Sequence, residues 1–260
     1  MLSLRQLTPR LPSASINRSF ASWNSGSSNV SRQARVAVVG SGRMGEIRSK
    51  ILYANPRIEF VGVVDSHLEG AKSLAQTFGT NAYSSLSELI NEEKGQVDGI
   101  VCCTPTVTHA SIVKQAVKVG IGSGVFVEKP VDESAQKIKA LFEISKRGNL
   151  NLCCGFQRRF DPSYQNLLHQ LHNNHIGKPI NGTVFFGDHP VPSIEFLLRG
   201  GDIFMDLSAH DVDFILQAMG RDDDVTSVFA TGTSSTTQLE EAGVHDNATM
   251  VLKFQSGEFY

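Results

Sequence analysis

Asp206 and His210 stand four residues apart in a segment with helical periodicity, so both side chains share one face of the expected helix. Histidine is the usual proton carrier near neutral pH, and a carboxylate one turn away can orient the imidazole and stabilise its charged form. Asp213, three residues after His210, is an alternative orienting group. The spacing predicts acid–base chemistry, although an isolated Asp–His pair is more often an ordinary surface pair.

A glycine-rich turn, Gly40-Ser41-Gly42-Arg43-Met44-Gly45, follows the first predicted strand and opens a predicted helix. Its first glycine permits a tight turn, its second lets backbone amides approach a pyrophosphate, and its third allows close packing of helix on strand. The positive end of the helix dipole favours the phosphates. This pattern predicts a dinucleotide site that includes Gly40, Gly42, Arg43, Met44 and Gly45.

The choice of cofactor depends on Asp65, which ends the second predicted strand 25 positions after Gly40. A carboxylate at this point accepts hydrogen bonds from the adenosine ribose hydroxyls and repels a 2′-phosphate. Ser66 and His67 follow it, where a site for the 2′-phosphate would use arginine. The sequence therefore predicts NAD as the cofactor, with NADP less favoured.

Glu128, Lys129 and Pro130 end the fifth predicted strand, at the edge where open α/β sheets bind ligands. The proline holds the preceding lysine in an extended conformation. A lone lysine after a strand is usually a solvated loop residue. This position instead favours a role for Glu128 and Lys129 beside the cofactor.

Thr104 and Pro105 follow the fourth predicted strand at the same edge of the sheet. We expect them to line the nicotinamide side of the site. His109 stands at the start of the next predicted helix, where a histidine is more often a structural cap than a catalyst. It is kept as a candidate cofactor-binding residue.

Strands and helices alternate from residue 35 to residue 154, which predicts an α/β fold with a doubly wound parallel Rossmann sheet over residues 32–154. The predicted elements beyond residue 156 are helices near 162–175 and 202–219 and extended runs at 180–186, 225–231 and 248–254. With no helix expected between the last two runs, they predict an α+β domain over residues 155–260. Its mostly antiparallel sheet is expected to be incomplete, since the chain stops just past a strand.

The N-terminal 31 residues differ in composition from the rest of the chain. Five arginines and nine serines precede Val36, and the first acidic residue is Glu46. An acid-poor, Arg- and Ser-rich N-terminus is typical of a mitochondrial import sequence. We predict a presequence and a mitochondrial matrix location; the alternatives are a disordered tail over residues 1–31 and a cytoplasmic protein.

Composition excludes several classes of function. The formal net charge is −2, so nothing favours nucleic-acid binding. The sequence contains no run of 18 uncharged apolar residues, so no membrane helix is predicted. The four cysteines form two adjacent pairs in apolar runs, which predicts buried free thiols and no metal clamp. Three histidines at three-residue steps, His169, His172 and His175, are expected at a solvated helix end, so no metal site is predicted.

Taken in this order over residues 35–260, the motifs resemble those of the glucose–fructose oxidoreductase / inositol dehydrogenase / rhizopine-catabolism (GFO/IDH/MocA) family. The resemblance rests on the glycine turn, the Cys-Thr-Pro motif with His109, Glu128-Lys129-Pro130, the segment GFQRRFD at 155–161, and Asp206 with His210. It implies an NAD-dependent oxidoreductase that converts a CH–OH group of an inositol-like polyol to a ketone. Homodimers or homotetramers are implied as well.

The same resemblance implies roles for individual residues. Lys129 would hydrogen-bond the reacting oxygen, and His210 would take the hydroxyl proton as general base with Asp206 setting its orientation and charge. The hydride would pass to NAD. The residues implied to bind the polyol hydroxyls are Gln157, Arg158 and Asp188.

Three positions depart from the pattern of the family. Arg48 stands where many members have histidine, Gly187 where arginine is frequent, and Asp202 where a further glycine is common. These departures bear on the substrate more than on the reaction. The alternatives are therefore another sugar or dihydrodiol dehydrogenase of the same fold, and a catalytically silent dinucleotide-binding sensor or fragment.

Overall fold

Six short apolar segments pair in parallel in the first half of the chain. The computed structural model describes residues 32–200, 202–220 and 223–256, so the predicted presequence lies outside the described residues. The strands are β1 (Ala34–Val39), β2 (Ile58–Val64), β3 (Asn81–Tyr83), β4 (Gly99–Cys102), β5 (Gly124–Val127) and β6 (Asn151–Cys154). Their order in the sheet is β3-β2-β1-β4-β5-β6, and every pairing is parallel.

Helices connect these strands and cover both faces of the sheet. They are α1 (Arg43–Ala54), α2 (Leu68–Phe78), α3 (Leu86–Glu92), α4 (Thr106–Val119) and α5 (Ala135–Arg147). Because neither face meets water, the central strands are continuous apolar runs, in which Val38, Val63 and Val125 are fully buried. The strand order reverses between β1 and β4, and this reversal opens a crevice at the carboxyl ends of the strands.

The predicted fold class is confirmed by this topology and by the second half of the chain. A 3₁₀ turn (Gln157–Phe160) precedes the elements α6 (Pro162–His172), α7 (Ile194–Gly200), α8 (Ile203–Asp206), α9 (Ser208–Met219), β7 (Val225–Thr233), α10 (Thr237–Glu241) and β8 (Asn247–Phe254). Strands β7 and β8 pair antiparallel. Since contacts group the described residues from Gln33 onward into one unit, the boundary between residues 154 and 155 stays a prediction.

The helix predicted over 202–219 is two helices, α8 and α9, separated at Leu207. The N–H of His210 donates to the Leu207 carbonyl, one residue short of the α-helical partner. The carbonyl of Asp206 is thereby left out of the helix ladder, and it accepts a hydrogen bond from Lys129 Nζ at 2.6 Å. A long-range contact therefore replaces the helical hydrogen bond that periodicity predicts.

Two other expectations for the second half are wrong. The run at 180–186 forms no strand among the described residues; its side chains alternate between exposed and half-buried, and Val184 packs on the core formed by Ile215, Leu252 and Phe254. A short helix, α10, does lie between β7 and β8. It forms because Thr236 accepts a hydrogen bond from the Leu239 N–H at its start and Leu239 is buried.

The prediction of buried thiols holds for Cys102 and fails for Cys153, which is exposed. Cys153 lies on β6, an edge strand of the described sheet, which pairs with a neighbour on one side only. The part of the chain that is described contains no cluster of three or more histidine, cysteine or acidic side chains able to hold a metal ion. None of the helices described is long and apolar enough to cross a bilayer.

Candidate active site

A cavity of about 800 Å³ opens at the carboxyl ends of the parallel strands and extends to α8 and α9. It brings together nearly all the side chains that the sequence singled out. The predicted residues that line it are Gly40, Gly42, Arg43, Met44, Asp65, Thr104, Pro105, Glu128, Lys129, Gln157, Arg158, Asp188, Asp206 and His210. Gly45 and His109 do not line it.

The three glycines of the turn have three different roles. Gly40 has a φ of +105°, and a Cβ there would lie 2.9 Å from the main chain of Cys103. A Cβ on Gly45 would lie 1.9 Å from the Gly40 carbonyl oxygen, so Gly45 lets α1 approach the sheet. Gly42 has no neighbouring atom within 4 Å of that point and begins α1 without a side-chain cap. Open space therefore faces the helix N-terminus, as a pyrophosphate requires.

Asp65 is fixed against this turn. One carboxylate oxygen accepts hydrogen bonds from the N–H and the hydroxyl of Ser41, both at 2.7 Å, and the other accepts from the His67 N–H at 2.9 Å. Burial raises the pKa of Asp65, but these hydrogen bonds and the nearby His67 outweigh it, so the net pKa is lowered. A carboxylate thus stands ionised on the cavity wall at the ribose end.

Lys129 is held by two contacts with the same residue. Its Nζ donates to the Asp206 carboxylate and to the Asp206 main-chain carbonyl, each at 2.6 Å. Lys129 follows β5 and Asp206 ends α8, so the contact joins the loop after the parallel sheet to the second half of the chain. The ammonium group is therefore fixed in position on the cavity wall.

His210 is 5 % exposed and packs edge-on against the ring of Phe156. Burial, followed by the charges of Lys129 and Arg158, lowers the pKa of His210 to about 4. The imidazole is consequently neutral at physiological pH. Its Nδ1 is sealed from solvent and has no hydrogen-bond partner among the described residues, which leaves Nε2 as the nitrogen able to exchange a proton with the cavity.

The predicted orientation of His210 by a carboxylate is wrong. The Asp206 carboxylate is bound by Lys129, and it acts on His210 only through its charge, which raises the pKa of the imidazole. The alternative, Asp213, forms an ion pair with Arg159. The packing against Phe156 and burial in α9 fix the ring instead.

His109 lies behind the cavity wall and is 1 % exposed. Its Nδ1 is 3.0 Å from the Pro130 carbonyl oxygen, and its Nε2 is 2.8 Å from that of Thr104. It therefore connects the loop after β4 to the loop after β5, beneath Lys129. This position corrects the prediction of direct cofactor contact, because the ring has no exposed surface to offer.

Arg48 has a place in the site that its sequence position did not reveal. Its Nε donates to the Glu128 carboxylate at 2.6 Å, and its guanidinium lies 5.0 Å from the centre of the Phe126 ring. Glu128 is nearly buried, so this ion pair supplies the charge that its carboxylate requires. Eighty residues separate the partners in the chain, so spacing gave no signal of this contact.

A further ion pair involves Arg158, which lines the far end of the cavity. Arg158 donates to Asp211 at 3.1 Å, and its guanidinium lies 3.6 Å from the centre of the Phe186 ring. The motif at 155–161 indicates Arg158, but no local signal indicates Asp211 as its partner or Phe186 as a wall of the cavity. Gln157 and Asp188 line the same end.

Asp202 anchors the start of α8. One of its oxygens accepts from the Phe204 N–H at 2.9 Å, and the other accepts from His245 Nδ1 at 2.5 Å and from the His245 N–H at 3.2 Å. Burial raises the pKa of Asp202, and these hydrogen bonds lower it by more, so the net pKa is lowered. The departure from glycine at this position thus fixes the short helix that ends in Asp206. An aspartate directly before an apolar helix is a cap signal that could have indicated this role.

We expect Gly45→Ala to destabilise the protein by about 3 kcal/mol, because its methyl group would overlap the Gly40 backbone carbonyl. Gly42→Ala is the matched control. Its φ of −75° and its open surroundings accept a methyl group, so the free energy of unfolding should change by less than ~1 kcal/mol. Denaturant unfolding of both variants measures this. Equal losses of stability would contradict the roles assigned to the two glycines.

We expect His210 to make stability decrease in acid. The unfolded imidazole binds a proton near pH 6.5, whereas the folded one stays neutral down to about pH 4. Lowering the pH from 7 to 5 therefore favours the unfolded chain by about 2 kcal/mol through this group. Between pH 7 and pH 5, the free energy of unfolding should therefore fall by about 2 kcal/mol less in His210→Gln than in the wild type. Denaturant unfolding at both pH values measures this. The same pH dependence in both proteins would show that the folded imidazole is protonated normally.

Comparison with known proteins agrees with this geometry. Residues 34–156 match the model of an oxidoreductase family with an NAD-binding Rossmann fold, and residues 164–259 match the GFO/IDH/MocA C-terminal domain. The chain is 33% identical over 230 residues to scyllo-inositol 2-dehydrogenase (NAD(+)) of Bacillus subtilis. The matched region covers 88% of this chain and 66% of that protein. It is 31% identical over 225 residues to myo-inositol 2-dehydrogenase of Thermotoga maritima, with 86% and 66% covered.

A solved structure gives the same result. The crystal structure of a myo-inositol dehydrogenase from Corynebacterium glutamicum matches with a TM-score of 0.69 and 29% identity, over 87% of this chain and 66% of that one. The chain spans about two thirds of the length of the curated relatives it matches. With both domain models matched, and a glycine turn, a Glu-Lys-Pro edge and an Asp–His helix around one cavity, the chain belongs to the GFO/IDH/MocA oxidoreductase family.

Proposed function

We propose that the protein is an NAD-dependent dehydrogenase that oxidises a CH–OH group of an inositol-like polyol to a ketone. The observation that carries this proposal is the shared cavity: the ammonium of Lys129 and the neutral imidazole of His210 line the same space as the dinucleotide turn. An alcohol oxidation needs a hydrogen-bond donor for the reacting oxygen, an acceptor for its proton and a hydride acceptor beside the carbon.

The residues present fit a dinucleotide. Gly42 leaves room at the N-terminus of α1, Met44 and Arg43 border that space, and Thr104 and Pro105 line the wall towards Lys129. The ionised Asp65 supports NAD over NADP, because its charge would repel a 2′-phosphate. When bound, the nicotinamide ring of NAD supplies the hydride acceptor.

The side chains of this protein divide the remaining work between them. Lys129 donates a hydrogen bond to the substrate oxygen and stabilises the negative charge that develops there as its proton leaves. His210 accepts that proton at Nε2, and its neutral state keeps the nitrogen ready. Asp206 holds Lys129 in place, so its role is to position the lysine rather than the histidine. Gln157, Arg158 and Asp188 would bind the other hydroxyls.

The named activities of the relatives support the substrate class. The matched proteins of Bacillus subtilis and Thermotoga maritima are described as inositol 2-dehydrogenases, and the identity extends through both halves of this chain. The retained lysine and histidine favour an enzyme over a silent sensor. Association into homodimers or homotetramers stays a prediction.

We expect the full chain to form NADH from NAD and myo-inositol. Lys129→Ala should lower kcat/KM by at least ~100-fold, because a positioned donor to the reacting oxygen is lost. Lys139→Ala, which removes an exposed lysine of α5, is the matched control and should leave the rate unchanged. Absorbance at the NADH band, with a panel of inositols, aldoses and dihydrodiols, measures this.

Three outcomes would change the proposal. Turnover only on an aldose or a dihydrodiol keeps the reaction and discards inositol. NADH binding without turnover on any ring favours a sensor. Equal rates in Lys129→Ala and the wild type would remove the lysine from the mechanism.

We propose in addition that residues 1–31 direct the protein to mitochondria. The supporting observation is compositional: arginines and serines without any acidic residue. Fused to a fluorescent protein, residues 1–31 should send it to mitochondria. A variant in which Arg5, Arg10 and Arg18 are glutamine should stay in the cytosol, since import depends on the positive charge. A cytosolic signal from the unaltered fusion would reject the proposal.

A further inference from the structure

Two basic side chains, Lys129 and Arg158, line the end of the cavity that is proposed to bind the substrate, which we call the substrate end. Each of them forms an ion pair with a carboxylate. Lys129 pairs with Asp206 at 2.6 Å, and Arg158 pairs with Asp211 at 3.1 Å. All four side chains are at most about one third exposed. An unpaired lysine and an unpaired arginine at a substrate site would favour an anionic substrate. The pairing cancels that preference, because neither cation carries uncompensated charge.

The other ionisable groups at this end add no positive charge. His210 is neutral, since burial keeps its pKa near 4. Glu128 borders the cavity, and Arg48 compensates its carboxylate from behind the wall. Gln157 is uncharged at any pH. Arg43 lies at the dinucleotide turn, where the negative charge of a bound pyrophosphate would neutralise its guanidinium group.

Asp188 is the remaining charged group among the described residues that line this end. Like Arg158 and Phe186, it lines the cavity; it is exposed, and no ion pair or hydrogen bond joins its side chain to another described residue. The aromatic ring of Phe186 is occupied by the Arg158 guanidinium, which is also bound to Asp211. Among the described residues, the substrate end therefore carries one uncompensated negative charge, that of Asp188.

We propose that Asp188 is a specificity-determining residue that makes the cavity select its substrate by charge, accepting neutral polyols and rings that bear a protonated amine and rejecting rings that bear a carboxylate or a phosphate. The inference rests on the proposed function and deepens it. Asp188 accepts hydrogen bonds from hydroxyls or from an ammonium group. It can give none to a carboxylate, and its charge repels one across the cavity.

The test compares binding of two charged rings to the full chain saturated with NADH. Calorimetry measures the dissociation constants of an amino-deoxy-inositol and of glucuronate at low ionic strength. The wild type should bind the amine about tenfold more tightly, which corresponds to ~1.4 kcal/mol. Added salt should narrow the difference because Asp188 is exposed to solvent.

Asp188→Asn removes the charge and keeps the size and hydrogen-bonding oxygen, so the difference between the two rings should fall to about twofold or less. Glu143→Gln is the matched control, because it removes one exposed carboxylate on α5 away from the cavity and should leave the difference intact. Circular dichroism verifies that both variants fold.

An unchanged preference in Asp188→Asn, tighter binding of glucuronate by the wild type, or no binding of the amine would overturn the inference. NADH formation from myo-inositol, measured on the same preparation, separates this result from the proposed function. A charge preference without turnover on any neutral ring would reject the dehydrogenase proposal and leave the role of Asp188 standing. Turnover without a charge preference would support the dehydrogenase proposal and reject the role of Asp188.

Discussion

The double contact between Lys129 and Asp206 is the interaction on which the site depends. The lysine lies in the loop after strand β5 of the parallel sheet, and the aspartate ends a four-residue helix of the second half. One ammonium group satisfies both a carboxylate and a main-chain carbonyl, and for this the helix is interrupted at Leu207. A half-buried ion pair contributes little to stability by itself, since desolvation offsets attraction. Its value is positional: it fixes the ammonium beside His210.

Other contacts support each partner of this pair from behind. His109 joins the loops after β4 and β5 beneath the lysine, and the Arg48–Glu128 pair holds the preceding residue. On the opposite side, Asp202 and His245 fix the start of the helix that ends in Asp206. These contacts connect α1, the parallel sheet, α8 and the loop before β8. Reactive groups gain precision when the residues behind them are themselves held in place.

Charge pairing also decides what the cavity can recognise. The cavity is lined by one lysine, two arginines and four acidic side chains, and this list alone does not say which of the charges are compensated. The structure assigns Lys129 to Asp206 and Arg158 to Asp211, and leaves Asp188 alone among the described residues of that end. The neutral state of His210 follows from the same proximity, because burial and two nearby cations disfavour its protonation.

The sequence by itself determined the parallel sheet, the dinucleotide turn with Asp65, and the placement of Lys129 and His210, because each follows from local periodicity or from what must meet at one edge of such a sheet. Spacing also placed Asp206 and His210 on one helix face, but it could not choose between partners. Only the tertiary structure decided that Asp206 binds Lys129, that His109 lies behind the wall, and that Arg48 pairs with Glu128. These contacts join residues 21 to 80 positions apart, and burial together with competition among charges selects them, neither of which is a local property of the chain.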